Sequence, residues 1–186
     1  MYPVVFPPDG LRVVLAGAGD AALRRLAGLD AAGMKDTTVF APQNDGPLAE
    51  AAGDRLRPGL PTARDMQGAR LVFVAGLDDG TSADLAALAR AAGALVNVED
   101  RLALCDFHVP AVVRRGRLLI TVSTGAGAPG LAARMRRRLE AQFGPEWAGR
   151  LDELAEARNA WKAQGADQQD LGRRTREWLD QRGWFD

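Results

Sequence analysis

A chain of 186 residues with 24 basic and 24 acidic side chains has the length of one domain, or of one domain with a helical appendage. Its formal neutrality gives no global electrostatic ground for nucleic-acid binding. A lone cysteine, Cys105, excludes an intrachain disulfide and a CxxC site, and a lone histidine, His108, excludes a multi-histidine metal site within one chain. No apolar run reaches the ~18 residues of a membrane span and no basic-then-apolar leader precedes the first strand, so the expectation is a soluble, cytoplasmic protein.

Residues 11–16 form an apolar run of strand length, followed at once by Gly17-Ala18-Gly19-Asp20. Leu23, Leu26 and Leu29 recur at helical spacing over 21–32, with Gly33 as a stop. Residues 37–41 read as a second strand, rich in β-branched residues and ended by Pro42. A weaker unit over 47–66 holds a helical stretch and a short strand near 55–57; residues 71–75 are a buried strand. A helix over 82–92 and a strand over 94–97 follow. Strands alternating with helices of about a dozen residues predict an α/β, Rossmann-like parallel sheet with helices on both faces.

The pattern changes after Asp100. Residues 107–114 and 117–123 read as a hairpin turning at Arg115-Gly116, and a basic helix follows over 130–143. From Pro145 the chain is polar and helical, broken near Gly165 and Gly183. Its Trp147, Trp161, Trp178 and Trp184 suit core or interface better than a ligand cage. The expected organisation is a nucleotide-binding domain over 1–100, a hairpin-and-helix arm over 101–144 and a helical tail over 145–186.

Gly17-Ala18-Gly19-Asp20-Ala21-Ala22 fits the GxGxx[G/A] dinucleotide fingerprint and sits between a strand and a helix, where that fingerprint works. Gly17 is expected to permit the tight turn, Gly19 to let backbone approach a pyrophosphate, and Ala22 to keep helix and strand close. The second strand ends without an acid for a ribose 2′-OH; Asn44 or Asp45, just beyond it, are the available substitutes.

Asp100 follows a predicted strand on the sheet edge where such folds bind ligands, and it is the candidate general base if burial tunes it. A plain loop acid or helix cap is the alternative. His108 lies in an alternating strand, and Cys105 reads as a small packed side chain rather than a nucleophile.

Beyond these patterns, Asn97-Val98-x-Asp100, Cys105-Asp106-Phe107, Pro110-Ala111, Arg115-Gly116, Ser123-Thr124-Gly125, Pro129, Leu131-Ala132, Arg134 and Leu139-Glu140 resemble the siroheme synthase dehydrogenase/ferrochelatase domain. Matches at Gly17 to Arg25, Ala41-Pro42 and Asp78-Asp79 extend the resemblance over roughly 11–145. It implies NAD-dependent oxidation of precorrin-2 to sirohydrochlorin, followed in many members by ferrous-ion insertion, in a homodimer joined through the hairpin arm. It implies Asp100 as the residue of both reactions, with no fixed metal ligands but Asp100 a candidate, because the macrocycle nitrogens become the ligands of Fe2+. Gly17, Gly19, Asp20, Ala21, Pro42, Gln43 and Asp78 are the corresponding cofactor positions, with NAD favoured and NADP left open. Ser123, Thr124, Gly125 and Arg134 are the tetrapyrrole positions, where hydroxyls, backbone N–H groups and a guanidinium suit substrate carboxylates. The same turn also suits a purely connecting role.

The chain departs from the family pattern at Gly76-Leu77, where Ala-Thr is usual, at Ala83 for Asn, at Ala128 for Ser, and at Arg25 for Lys. Leu77 and Ala128 each remove a hydroxyl, and the second strand reads one residue longer. No methyltransferase segment is present, so precorrin-2 is expected from another protein. A catalytically altered nucleotide- or tetrapyrrole-binding protein of the same fold is the alternative reading, and a Rossmann oxidoreductase with a small substrate a third.

Overall fold

The structure, a computed structural model, describes residues 1–43 and 46–185. Asn44 and Asp45, the substitute ribose ligands, lie outside the described residues. The chain divides into two compact units, Met1–Val109 and the residues from Pro110 onward.

The first unit is a five-stranded parallel sheet in the order β3-β2-β1-β4-β5. Its strands are β1 Val13–Gly17, β2 Thr37–Ala41, β3 Leu56–Pro58, β4 Leu71–Ala75 and β5 Leu95–Val98. The helices are α1 Gly19–Ala31, α2 Pro47–Ala52 and α3 Asp79–Ala91. β1 and β4 are buried along their whole length, which is why they read as unbroken apolar runs rather than alternating ones. Pairing Val13 with Thr37 and Leu15 with Phe73 fixes the register, including that of the second strand.

Alternate residues face two separate cores. Val13, Leu15, Val39, Leu71 and Phe73 pack with Leu26 and Leu29 of α1 and Leu48 of α2. Val14, Ala16, Val72, Val74, Val96 and Val98 pack with Leu85, Ala86 and Ala89 of α3 and with Met66. Each fully buried aliphatic side chain contributes roughly 1.5–3 kcal/mol, so the two clusters hold the sheet between its helices. α3 begins three residues before the predicted start because Asp78 caps it, accepting from the N–H (2.9 Å) and hydroxyl (2.7 Å) of Thr81. Those bonds, the Thr81 N–H first, hold the Asp78 carboxyl below its ordinary value.

β5 ends the sheet, and its outer edge is closed by residues 105–107 rather than by a sixth strand. Asp106 N–H donates to Val96 O (2.8 Å), and the Asp106 carboxylate accepts from Val96 N–H (2.9 Å). Asn97 Nδ2 donates to Phe107 O (2.9 Å), while the Phe107 ring meets Phe73 edge-on at 5.5 Å. These bonds place residues 101–109 with the sheet, where the sequence suggested the arm, and satisfy an edge that is otherwise a template for pairing.

In the second unit, β6 Ala111–Arg115 and β7 Leu118–Val122 form the expected antiparallel hairpin. β6 starts later than predicted because Phe107 belongs to the sheet edge. The two-residue turn falls at Gly116 and Arg117, with Gly116 at φ +54. α4 Pro129–Gln142 packs on the hairpin, and Arg115 ties it down through Phe143 O (2.9 Å) and Glu140 O (3.3 Å). α5 Trp147–Ala163 and α6 Gln168–Arg182 follow, broken near Gly165 and Gly183 as read from sequence. Trp147 is buried against Phe143 and Trp184, and Trp184 packs edge-on to Trp178 at 4.9 Å, so these three tryptophans are packing residues.

The Asp106 seal carries a pH dependence. Burial alone would raise its carboxyl, but the Arg90 guanidinium (Nε to Oδ1, 3.0 Å) and the Val96 N–H outweigh it and hold the group below its ordinary 3.8. A depressed carboxyl adds stability that is complete above its unfolded-state value and is lost as pH falls through the folded one. The stability difference between wild type and Asp106→Asn, measured by urea unfolding, should therefore be constant near neutrality and shrink as pH drops below 3.8. A difference that stays flat into strong acid would show that the Asp106–Arg90 pair adds nothing.

Candidate active site

Gly17 and Gly76 bring two loops together at the carboxyl end of the sheet. A Cβ on Gly17 would lie 2.3 Å from Ala75 O and 2.8 Å from the Ala22 Cβ. Gly17 is therefore a close-packing glycine between β1, β4 and α1; the residue of this loop in the left-handed region is Gly19, at φ +61. Ala18 N–H donates to Ala75 O (3.0 Å), locking the loop to the end of β4. Gly76, at φ +70, closes the other side, since a Cβ there would lie 2.2 Å from Ala18 O.

Between these tight contacts the start of α1 is left open. Ala18 offers no side-chain cap, and nothing lies within 4 Å of where a Gly19 Cβ would be. Asp20 is exposed in the first turn and Ala21 is half-buried beside it. Uncapped N–H groups at a helix start beside a ledge without side chains suit a pyrophosphate, so the residues present fit a dinucleotide. Pro42 and Gln43 are exposed directly after β2, on the same edge. The Asp78 carboxylate, by contrast, is committed to Thr81, so its part is to fix the start of α3.

A cleft of about 520 Å³ opens at this edge. Ala21 and Arg24 of α1 form one wall; Gly76, Leu77 and Asp79 form another. Glu99, Asp100 and Arg101, in the turn after β5, complete it. Both cations are engaged: Arg24 lies 3.6 Å from Glu99, and Arg101 binds Asp79 and reaches Leu77 O (3.3 Å). Asp100 is the cleft acid whose carboxylate has no partner among the described residues. It caps no helix; it occupies the left-handed region at φ +59, which Asp tolerates better than most side chains. It is exposed, so the burial expected around it is not supplied by this chain's own packing.

Just behind this turn Arg25 stacks over the Phe73 ring at 5.0 Å; burial lowers its guanidinium, with Glu99 opposing. Cys105 is half-exposed and its sulfur bonds to backbone, and His108 is exposed. Gly76, Arg24, Glu99 and Arg101 were not singled out from sequence as site residues. Arg101 and Asp79 meet across 22 positions, a pairing no local pattern reveals.

Ser123, Thr124, Gly125 and Arg134 belong to the second unit. Ser123 Oγ accepts from Gly125 N–H (3.3 Å) and Thr124 Oγ1 from Ala128 N–H (3.3 Å), with Gly125 at φ +66 and Ala126 at φ +63. The hydroxyls thus shape the turn into α4, whose own cap residue, Ala128, has no side-chain acceptor. Arg134 is exposed and in no ion pair among the described residues, whereas Arg136 pairs with Glu140. Among the described residues no group of three or more His, Cys, Asp or Glu could hold a metal ion, and no helix is long and apolar enough to cross a membrane.

The two kinds of glycine in this region predict opposite effects. Gly17→Ala should lower the thermal midpoint, because backbone and α1 must both move. Gly28→Ala, in the α1 interior with nothing within 4 Å, should raise stability by about 0.5–1 kcal/mol through helix propensity. Thermal unfolding of both variants checks the pair; a Gly17→Ala protein melting with the wild type would refute the close-packing role.

Comparison with known proteins agrees with this geometry. Residues 4–111 match a family model described as "Putative NAD(P)-binding". The siroheme synthase of Pseudomonas putida strain F1 is 42% identical over 158 residues, covering 82% of this chain and 33% of that protein. The siroheme synthase of Gluconacetobacter diazotrophicus is 35% identical over 192 residues, covering 96% of this chain and 39% of that protein. The chain thus spans a third or slightly more of the length of these curated relatives. In fold it is similar to the solved structure of SirC, a precorrin-2 dehydrogenase, with a TM-score of 0.78 at 22% identity over 100% of this chain and 93% of that one. The chain belongs to the NAD(P)-binding family of that model, as a domain of the siroheme synthase N-terminal type.

Proposed function

We propose that this domain oxidises precorrin-2 to sirohydrochlorin with NAD, and that Asp100 accepts the proton. The observation that carries the reading is Asp100 itself: an unpartnered carboxylate in a left-handed turn, lining one cleft with Ala21 of the glycine loop and Gly76. The likeness to siroheme synthases and to SirC supports a tetrapyrrole as the substrate.

Gly17, Gly19, Asp20 and Ala21 hold the dinucleotide at the start of α1, with Pro42 and Gln43 at the adenosine end and Asp78 fixing the neighbouring loop. NAD is preferred over NADP because residues 42–45, Pro-Gln-Asn-Asp, offer no cation to a 2′-phosphate. When bound, the nicotinamide supplies the acceptor for the hydride that leaves the macrocycle. Asp100 takes the accompanying proton, while the Arg24–Glu99 and Arg101–Asp79 pairs keep the neighbouring charges engaged. Leu77 gives the cleft an apolar wall where a flat ring displaces water. On the second unit, Ser123, Thr124, Gly125 and Arg134 offer donors to substrate carboxylates.

The same reading extends to insertion of Fe2+ as a second substrate, with the ring nitrogens as ligands and Asp100 receiving pyrrole protons. A homodimer is its working form: Leu131 and Met135, 53% and 45% exposed and four residues apart on α4, leave an apolar stripe for a second copy. The free thiol at Cys105 suits a reducing cytoplasm.

Purified protein mixed with precorrin-2 and NAD should generate NADH and sirohydrochlorin, and added ferrous ion should then consume the sirohydrochlorin. Asp100→Asn should bind NAD as the wild type does but lose about 10²-fold or more in turnover, the scale of a missing general base. Full activity in that variant would remove Asp100 from the mechanism; tight ligand binding without turnover by the wild type would favour the binding-protein alternative.

A further inference from the structure

Asp100 has no side-chain partner, yet it keeps a backbone conformation that side chains seldom adopt, so something else must hold its turn. The turn is Val98–Arg101, closed by Arg101 N–H to Val98 O (3.3 Å), with Asp100 in its third position. Glu99 N–H donates to Val74 O (2.9 Å), which fastens the inner side of the turn to β4. The outer side faces Cys105. Its sulfur accepts from Val98 N–H at 3.3 Å and lies 3.2 Å from Val98 O and 3.3 Å from Arg101 O, either of which takes the thiol proton. One side chain therefore touches both the first and the last residue of the turn; of the two acids between them, Glu99 is held by Val74 O and Asp100 alone is left free.

The thiol is itself fixed. Cys105 N–H donates to Leu102 O (3.1 Å), and the next residue is pinned to β5 through its backbone and carboxylate and to α3 through Arg90. Asn97 Nδ2 approaches the same sulfur at 3.6 Å. Nothing else among the described residues accepts from Val98 N–H, so removing the sulfur orphans a donor at the rim of the cleft. A small side chain filling space would need none of this.

We propose that Cys105 is a positioning residue for Asp100, its thiol clamping the Val98–Arg101 turn so that the carboxylate stands in the cleft. The proposal rests on the reading of Asp100 as proton acceptor. The sulfur forms no bond to substrate and changes no oxidation state; it acts only through the turn.

The test compares Cys105→Val, which keeps an apolar side chain and loses the bonds, with Cys105→Ser, which keeps a donor and an acceptor. Steady-state rates with precorrin-2 and NAD, NAD affinity by calorimetry, and amide exchange at Val98 and Arg101 are read on both. Cys105→Val should lose roughly tenfold or more in kcat, with KM for precorrin-2 and the Kd for NAD unchanged, and its Val98 and Arg101 amides should exchange faster. Cys105→Ser should recover most of the rate and the protection. If Cys105→Val fails to fold, the serine variant still decides, because most of the wild-type protection and kcat is required of it. Wild-type kcat in a folded Cys105→Val protein overturns the clamp, and so does a loss that falls on KM and NAD affinity alone. Full turnover by Asp100→Asn, or none by the wild type, overturns the reading of Asp100 instead, and the positioning role with it.

Discussion

The close approach of β1 and β4 at their carboxyl ends is the constraint from which the rest of the first unit follows. With no side chain at Gly17 or Gly76, Ala75 O reaches Ala18 N–H and the β4–α3 loop lies on the β1–α1 loop. The strand order makes this the one place where such contact matters. The chain moves outward from β1 to β2 and β3, then crosses back to β4 and β5, so helices leave β1 and β4 on opposite faces. A crevice at that switch point is where open α/β sheets bind ligands. Close packing of the strands and openness at the start of α1 are thus two sides of one arrangement: the glycines remove the atoms that would otherwise fill the ledge.

From that crevice the opposite wall is built by side chains that serve the backbone. Asp106 seals the edge of β5, Asn97 holds Phe107, and Cys105 holds the turn with Asp100. Cys105-Asp106-Phe107 is therefore a structural phrase whose three members face three different neighbours. Asp106 and Cys105 take the place of strand-pairing partners with a carboxylate and a thiol, which lets the chain leave the sheet at residue 108 without leaving β5 unsatisfied.

The alternation of strands and helices, the two glycine positions and the hairpin were legible in sequence because each depends on local periodicity or on a turn residue. Strand ends were less so. β1 runs through Gly17, and α3 starts early, because hydrogen bonds to Ala75 O and from Thr81 decide those boundaries. Asp100 stands out in the sequence as an acid after a strand, but the neighbours it meets in the cleft do not. Arg101 with Asp79 and Arg24 with Glu99 are pairs between segments far apart in the chain, and no spacing rule connects them. The fingerprint shows that Gly17 permits a tight turn, but not that the missing Cβ, rather than a backbone angle, is what the turn requires.

The departures from the family pattern acquire separate physical meanings in this setting. Ala83 is exposed on α3 and does not line the cleft. Leu77 packs against the α3-side core, and its carbonyl receives Arg101, so exchanging a hydroxyl for an isobutyl group keeps the backbone anchor and makes the wall apolar. Gly76 beside it is required by φ +70 and by the 2.2 Å approach to Ala18 O, conditions that alanine meets poorly. The pair Gly76-Leu77 is thus a coupled change: a tighter loop on the glycine ledge, and a hydrophobic surface in place of a hydrogen-bond donor. That exchange gives the cleft an apolar wall beside Asp100, the one lining carboxylate that no cation engages among the described residues.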